Sequence, residues 1–248
     1  MPLGSDTRYA WPVFGRVGVG ADVTSVVVFQ QVTSVPASGG AVIRDIDETS
    51  PKPETSSTLN IVTVPLRQVA SVQSHVPNVY LAQARFNSVI EGDLRLAING
   101  GLDLLVLTEV AKAGFETPGS DSVIVSIRKA ISRIQAAGYN PDTLIVDPTT
   151  AESLDTLLAT ATAGEEFYVF SPGQAAPSIF GLNRRVSKDA PAPVVLDSQA
   201  FGRLYASPVS LARFEENSGS TNTSTVRLEG HAAFGTERLA AAVRIAAS

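Results

Sequence analysis

The sequence predicts an α+β fold, and three observations carry that expectation. One helical pattern occupies residues 77–101, two β-branched runs flank a polar stretch between residues 23 and 66, and helix, strand and helix alternate from residue 120 onward. With 248 residues, 44% hydrophobic and 17% charged, the chain can bury one large core or two modest ones. No apolar run approaches the roughly 18 residues of a membrane span. Residues 1–14 lack the basic and apolar regions of a secretory signal, so a soluble chain made in the cytoplasm is expected. The absence of Cys excludes disulfides, thiolate catalysis and most structural zinc sites. A net charge of −5 argues against a dedicated nucleic-acid binder, though not against a protein that merely encloses nucleic acid.

The first 22 residues hold Trp11, Pro12, Gly15, Gly18 and Gly20 without a helical or alternating period, and are expected to form an extended arm rather than part of a core. The three glycines do not make a phosphate loop: no strand precedes them and no Lys-Ser/Thr ending follows. Residues 23–35, VTSVVVFQQVTSV, and 59–66, LNIVTVPL, read as strands. Between them residues 38–58 are polar, charged and proline-bearing, which suits the outer part of a long hairpin. Two-stranded ribbons are marginal in water, so this hairpin is expected to rest on another subunit. Asp45, Asp47 and Glu48 lack the spacing and glycine of a calcium loop and are read as a solvated face.

Pro77 and Asn78 are expected to start the long helix and Asn99, Gly100 and Gly101 to stop it. Its apolar stripe is Val79, Ala82, Phe86, Val89, Ile90, Leu94 and Ala97, with Arg85, Glu91, Asp93 and Arg95 on other faces. Near Ser120 a second unit begins. Ser120 and Asp121 can cap a helix carrying Val123, Ile124, Ile127, Ile131 and Ile134 and ended by Gly138. The buried strand Thr143–Val146 follows, then Asp147 and Pro148 open a helix carrying Leu154, Leu157 and Leu158, and a strand-rich segment begins at Glu165. The remainder reads as short strands with tight turns, closing with a long strand that returns to the first unit.

Taken in order, these pieces resemble the major capsid protein of tailed bacteriophages, the Hong Kong ninety-seven fold. LAINGG at 96–101 resembles the end of that family's spine helix. Residues 129–157, KAISRIQAAGYNPDTLIVDPTTAESLDTL, are similar to its helix, Gly-Tyr-x-Pro turn, strand and Asp/Asn-Pro helix start. Ile179, Phe180, Gly181 and Leu182, with the apolar strand before Asp197, match a further family motif, except that Asn183 and Arg184 stand where Pro-Val is usual. VRLEGHAAFG at 226–235 sits where the family's last long strand sits. The resemblance covers residue 23 to the end. It implies an N-terminal arm (1–22), an E-loop hairpin with flanking strands (23–66), a P-domain with the spine helix (67–117), an A-domain (118–205) and return strands of the P-domain (206–248).

The function implied is a structural one: a subunit that self-assembles through pentamers and hexamers into an icosahedral phage head around double-stranded DNA, without sequence recognition. The resemblance implies a virion location after assembly in the bacterial host cytoplasm. Scaffold, maturation protease, portal and decoration proteins are the further partners it suggests, and no membrane. An encapsulin-type shell that loads a cargo enzyme is the second reading, disfavoured by the Pro- and Gly-interrupted N-terminal segment. A conventional enzyme is not expected, since His75 and His231 are the only histidines and no nucleophile elbow, metal-binding helix or phosphate loop accompanies them. No cofactor and no metal site is expected. Some members of the family make a covalent cross-link between subunits, in which a Lys of an E-loop Lys-Pro-Glu attacks an Asn and a Glu assists. The resemblance maps those roles onto Lys52, Asn222 and Glu229. The plainer reading has Lys52 a solvated turn residue, Asn222 a loop residue and Glu229 an ion-pair partner of Arg227 across a subunit contact.

Overall fold

The computed structural model describes residues 8–31, 59–113, 115–117, 122–156, 158–160, 166–168, 179–216 and 222–246. A 3-10 turn at Trp11–Val13 is followed by β1 (Gly15–Gly18), β2 (Ser25–Gln31), β3 (Leu59–Pro65), β4 (Arg67–Pro77), α1 (Asn78–Leu81) and α2 (Ala84–Val110). Next come β5 (Phe115–Thr117), α3 (Val123–Ala136), β6 (Thr143–Val146), α4 (Pro148–Asp155), β7 (Leu158–Thr160) and β8 (Glu166–Tyr168). The chain continues through β9 (Asn183–Val186), β10 (Val194–Leu196), α5 (Ser198–Phe201), β11 (Gly202–Ala206), β12 (Ser210–Glu216), β13 (Thr223–Thr236) and β14 (Ala242–Ile245).

The strand β13 organises the first sheet. Its first half alternates in burial, so Val226 and Leu228 face inward while Thr225, Arg227 and Glu229 face out. On one side it pairs antiparallel with β4, and on the other with β12 and then β11, with β1 added parallel to β11. The inner face receives α2: Ile90, Leu94 and Ile98, four apart, pack with Val76, Leu81, Val226 and Leu228. The second sheet has the order β5-β14-β10-β6-β9, and every residue of β6 is buried. Against it α3 sets Ile127, Ala130, Ile131 and Ile134. As expected, Gly138 ends that segment at φ +86° and Asp147 caps α4 by accepting from Thr149 N and Thr150 N.

The long helix differs from its expected limits at both ends. It is broken at Ala82–Gln83, and it continues past Gly100 and Gly101 to Val110, so the two glycines are not a terminator. Neither has a positive φ. A Cβ built on Gly101 would stand 2.9 Å from Val69 Cγ1, whereas one on Gly100 would meet nothing within 4 Å. Gly101 therefore lets β4 approach the helix closely. The apolar stripe shifts accordingly, with Ile98, Val106, Leu107 and Val110 buried while Val79, Ala82, Val89 and Ala97 are exposed. Asn78 is the first residue of α1, not its cap. The helix cap expected from Ser120 and Asp121 is Ser122, those two residues lying outside the described ones. Leu158 opens a strand instead of closing a helix, and Leu157 is outside the described residues.

The expected arm contributes to the core from Tyr9 to Phe14 and joins the first sheet at Gly15–Gly18. Trp11 and Phe14 are buried, and Phe14 packs edge-on against Phe234 with ring centroids 4.9 Å apart. The reason is Asp103 in α2, 1% exposed, whose Oδ1 accepts from Ala10 N at 2.6 Å and Trp11 N at 3.1 Å. No side chain of the turn itself caps it, so Asp103 supplies that cap from across the core. Its Oδ2 accepts from Ser187 Oγ at 2.5 Å, tying in the segment after β9. The chain end also departs from expectation. Residues 242–245 join the second sheet through β14, not the first. The departure from the family motif at Arg184 has a partner of its own: the buried guanidinium forks onto Asp155 at 2.6 and 3.0 Å, with Leu144 opposite Arg184 in the parallel register.

Two stability outcomes follow from this packing. Gly100→Ala is expected to stabilise the protein by about 0.5–1 kcal/mol through helix propensity, while Gly101→Ala destabilises it; denaturant titration compares them, and equal effects would contradict the close-approach role. Burial raises the Asp103 pKa above its ordinary value despite three hydrogen bonds. A raised carboxyl pKa makes the associated stability complete below the unfolded value and lost as pH rises through the folded one. Asp103→Asn keeps the two N–H acceptors and donates to Ser187, so it should match the parent near pH 4 and equal or exceed it near pH 7. Asp103→Ala should cost about 2–4 kcal/mol, because two buried N–H groups lose their acceptor.

Candidate assembly surfaces and cross-link residues

The strands β2 and β3 pair antiparallel, with Phe29 opposite Ile61, Gln31 opposite Leu59 and Val28 opposite Val62. Alternation then gives the ribbon two faces. Val28 is 1% exposed and lies so close to Gly235 that a Cβ there would stand 2.5 Å from Val28 Cγ2. Gln31 N donates to Glu237 O at 2.7 Å, and Leu66 N donates to Thr24 O at 2.9 Å. The base of the hairpin is thereby seated on the far half of β13. The other face is apolar and open: Phe29 is 61% and Ile61 71% exposed, with Val27 and Leu59 beside them. An apolar face of this kind marks an interaction surface when its residues are contiguous. The sequence pattern indicated the strands but not which face would be open, because alternation is weak in a run of three valines. The outer part of the hairpin, including Lys52 and the acidic Asp45, Asp47 and Glu48, lies outside the described residues.

Asn222 immediately precedes β13 and holds a left-handed backbone, φ +46°. Asn tolerates that region better than most residues. A polar cluster fixes it there. Asn78 N donates to Asn222 O at 3.1 Å, and Asn78 Nδ2 donates to Asn222 Oδ1 at 2.8 Å. Asn78 Oδ1 accepts from Arg213 Nη2 at 2.8 Å and Ser224 Oγ at 2.6 Å. Asn78 was legible only as a helix-start residue; its partners are more than a hundred positions away in the chain.

Glu229 sits on the outward face of β13, where Gln68 Nε2 donates to its Oε1 at 2.5 Å and Arg227 Nε lies 2.8 Å from its Oε2. Arg227 also covers the Phe214 ring at 4.9 Å. The Arg227 pair is therefore made within one chain, not across a subunit contact. At about 3.3 Å per residue, seven positions of strand separate Asn222 from Glu229 by roughly 23 Å. A single subunit does not bring the two together. His75 stands at φ +60° where the pairing of β4 with β13 shifts register, a bulge position, and His231 lies on β13, its N–H donating to Ser207 Oγ. Among the described residues no group of three or more His, Asp or Glu could hold a metal ion, and no helix is long and apolar enough to cross a membrane.

Two five-stranded sheets and a broken long helix against the first make up an arrangement that can be compared with solved structures. The capsid of a native GTA particle aligns with TM-score 0.70 and 12% identity over 99% of this chain and 91% of that one. The chain has the tailed-phage capsid fold. A structure from Microbacterium phage Oxtober96 aligns with TM-score 0.66 and 13% identity, covering 94% of this chain and 88% of that one. The capsid of the cyanophage P-SCSP1u gives TM-score 0.59 and 10% identity over 98% and 90%. No protein-family model and no curated protein matches the sequence. The similarity thus resides in the arrangement of elements, at identities where few individual side chains are shared.

Proposed function

We propose that this chain is the major subunit of a phage head, a structural protein whose copies associate through pentamers and hexamers into an icosahedral shell around double-stranded DNA. The observation that carries this reading is the hairpin: a ribbon with one face seated on β13 and an open apolar face displaying Phe29 and Ile61, on a fold shared with capsids. Such a face is costly in an isolated subunit, and repeated heterologous contacts around closed symmetry axes cover it. The phage and GTA neighbours favour a phage-type head over an encapsulin shell. Packaged DNA is held by confinement and general electrostatics, in keeping with a net charge of −5. The reading includes a virion location after assembly in the bacterial host, with scaffold, protease, portal and decoration proteins as candidate further partners. The domain division into arm, hairpin, P-domain and A-domain is retained, with residues 8–18 and 242–245 reassigned as described above.

The cross-link at Lys52, Asn222 and Glu229 belongs to the same proposal. The neutral Lys52 amine would attack the Asn222 carboxamide carbon, ammonia would leave, and an isopeptide bond would remain. The hydrogen bond from Asn78 Nδ2 to Asn222 Oδ1 supports this chemistry, since a donor on that oxygen polarises the carbonyl. The Asn222–Glu229 separation requires Glu229 to come from another copy, so the reaction would follow assembly.

Removing residues 38–56 is expected to leave a soluble subunit that sediments as small species; normal particles from that deletion would remove the hairpin from the account. Boiling mature particles in detergent is expected to give a ladder of covalent multimers, lost in Lys52→Ala, Asn222→Ala and Glu229→Ala alike. A single band at monomer mass would end the cross-link proposal while leaving the shell reading intact.

A further inference from the structure

Between α2 and the first sheet lies a cleft of about 200 Å³, larger than the roughly 150 Å³ cavity that suffices for benzene. Its wall is aliphatic, formed by Ile98, Leu102, Leu204 and Leu228. Its polar groups are all donors or neutral: although acidic residues outnumber basic ones 24 to 19 in the chain, no Asp or Glu lines the cleft, while Arg16 and Arg95 do. Arg95 directs Nε and one Nη to Glu91, at 3.1 and 2.6 Å, which leaves the rest of its fork. Arg16 is exposed and forms no ion pair among the described residues. Trp11 contributes to the lining and is 6% exposed.

We propose that this cleft is a binding site for an anionic amphiphile, a carboxylate on a hydrocarbon tail of about six to eight carbons. The tail occupies the aliphatic wall between α2 and β13. The carboxylate lies at the Arg16 side, where a guanidinium can receive it in a forked hydrogen bond. Charge complementarity selects this ligand class: an amine would meet two arginines, and a neutral alcohol would forgo the charge-assisted bond. The inference stands independently of shell assembly and of the cross-link.

Trp11 is the only tryptophan of the chain, so its emission reports the site directly. Octanoate titrated into the full-length protein is expected to change Trp11 fluorescence saturably. Hexanoate should bind about fifteenfold more weakly, at about fourfold per methylene. Octanol and octylamine should each be weaker by about tenfold or more. Arg16→Glu and Arg16→Ala should weaken octanoate by a similar factor while leaving octanol unchanged, with circular dichroism confirming the fold. Absence of a saturable response overturns the proposal, as does equal affinity for octanoate and octanol in the unsubstituted protein, or octanoate binding unaffected by both Arg16 variants.

Discussion

The first sheet of this protein depends on the pairing of one strand. The fourteen residues of β13 accept partners along both edges, β4 on one side and β12 then β11 on the other, and so unite segments that are distant along the chain. Long-range antiparallel pairing of this kind costs loop-closure entropy before it returns any hydrogen bonds, so it needs a layer of apolar packing to hold it. That layer is α2 on the inner face and Val28 of the hairpin at the far half. Glycine enables both: Gly101 admits the helix to β4, and Gly235 admits Val28 to β13. Asp103 then fastens the N-terminal residues and the segment after β9 to the same helix by polar contacts.

Much of the element list was legible in the sequence because short-range chemistry determines it. The buried TLIV strand, the Asp147 cap, the Gly138 turn and the two strands of the hairpin follow from local pattern and cap rules, and all stand in the structure. What the sequence hid is set by contacts distant along the chain. Gly100 and Gly101 look like a terminator, but the tertiary contact of Gly101 with Val69 and the burial of Val106, Leu107 and Val110 carry the helix onward. The Trp11 segment looks like an arm because its two capped N–H groups find their acceptor 92 and 93 residues away. The strand β4, RQVASVQSHVP, was not anticipated: Val76 is its single buried residue, so no apolar alternation marks it. Of the candidate cross-link residues, Asn222 and Glu229 proved to be tied within the chain, one to Asn78 and the other to Gln68 and Arg227, partners that spacing alone does not reveal.

The same geometry leaves an apolar face of the hairpin open on a single chain. A two-stranded ribbon is marginal in water, and this one covers only half of itself against its own sheet. The exposed Phe29 and Ile61 pair across the strands on the other half, so the surface they form is organised rather than incidental. In the assembly proposed above, symmetric copies of the chain would supply the same complementary patch to every hairpin at once.

Negative-stain electron microscopy of the purified full-length protein tests this account most directly. Closed shells hundreds of ångströms across, of uniform size and with capsomer texture, are the predicted result. Only monomers or irregular aggregates, across all salt and pH conditions that keep the protein folded, would contradict it.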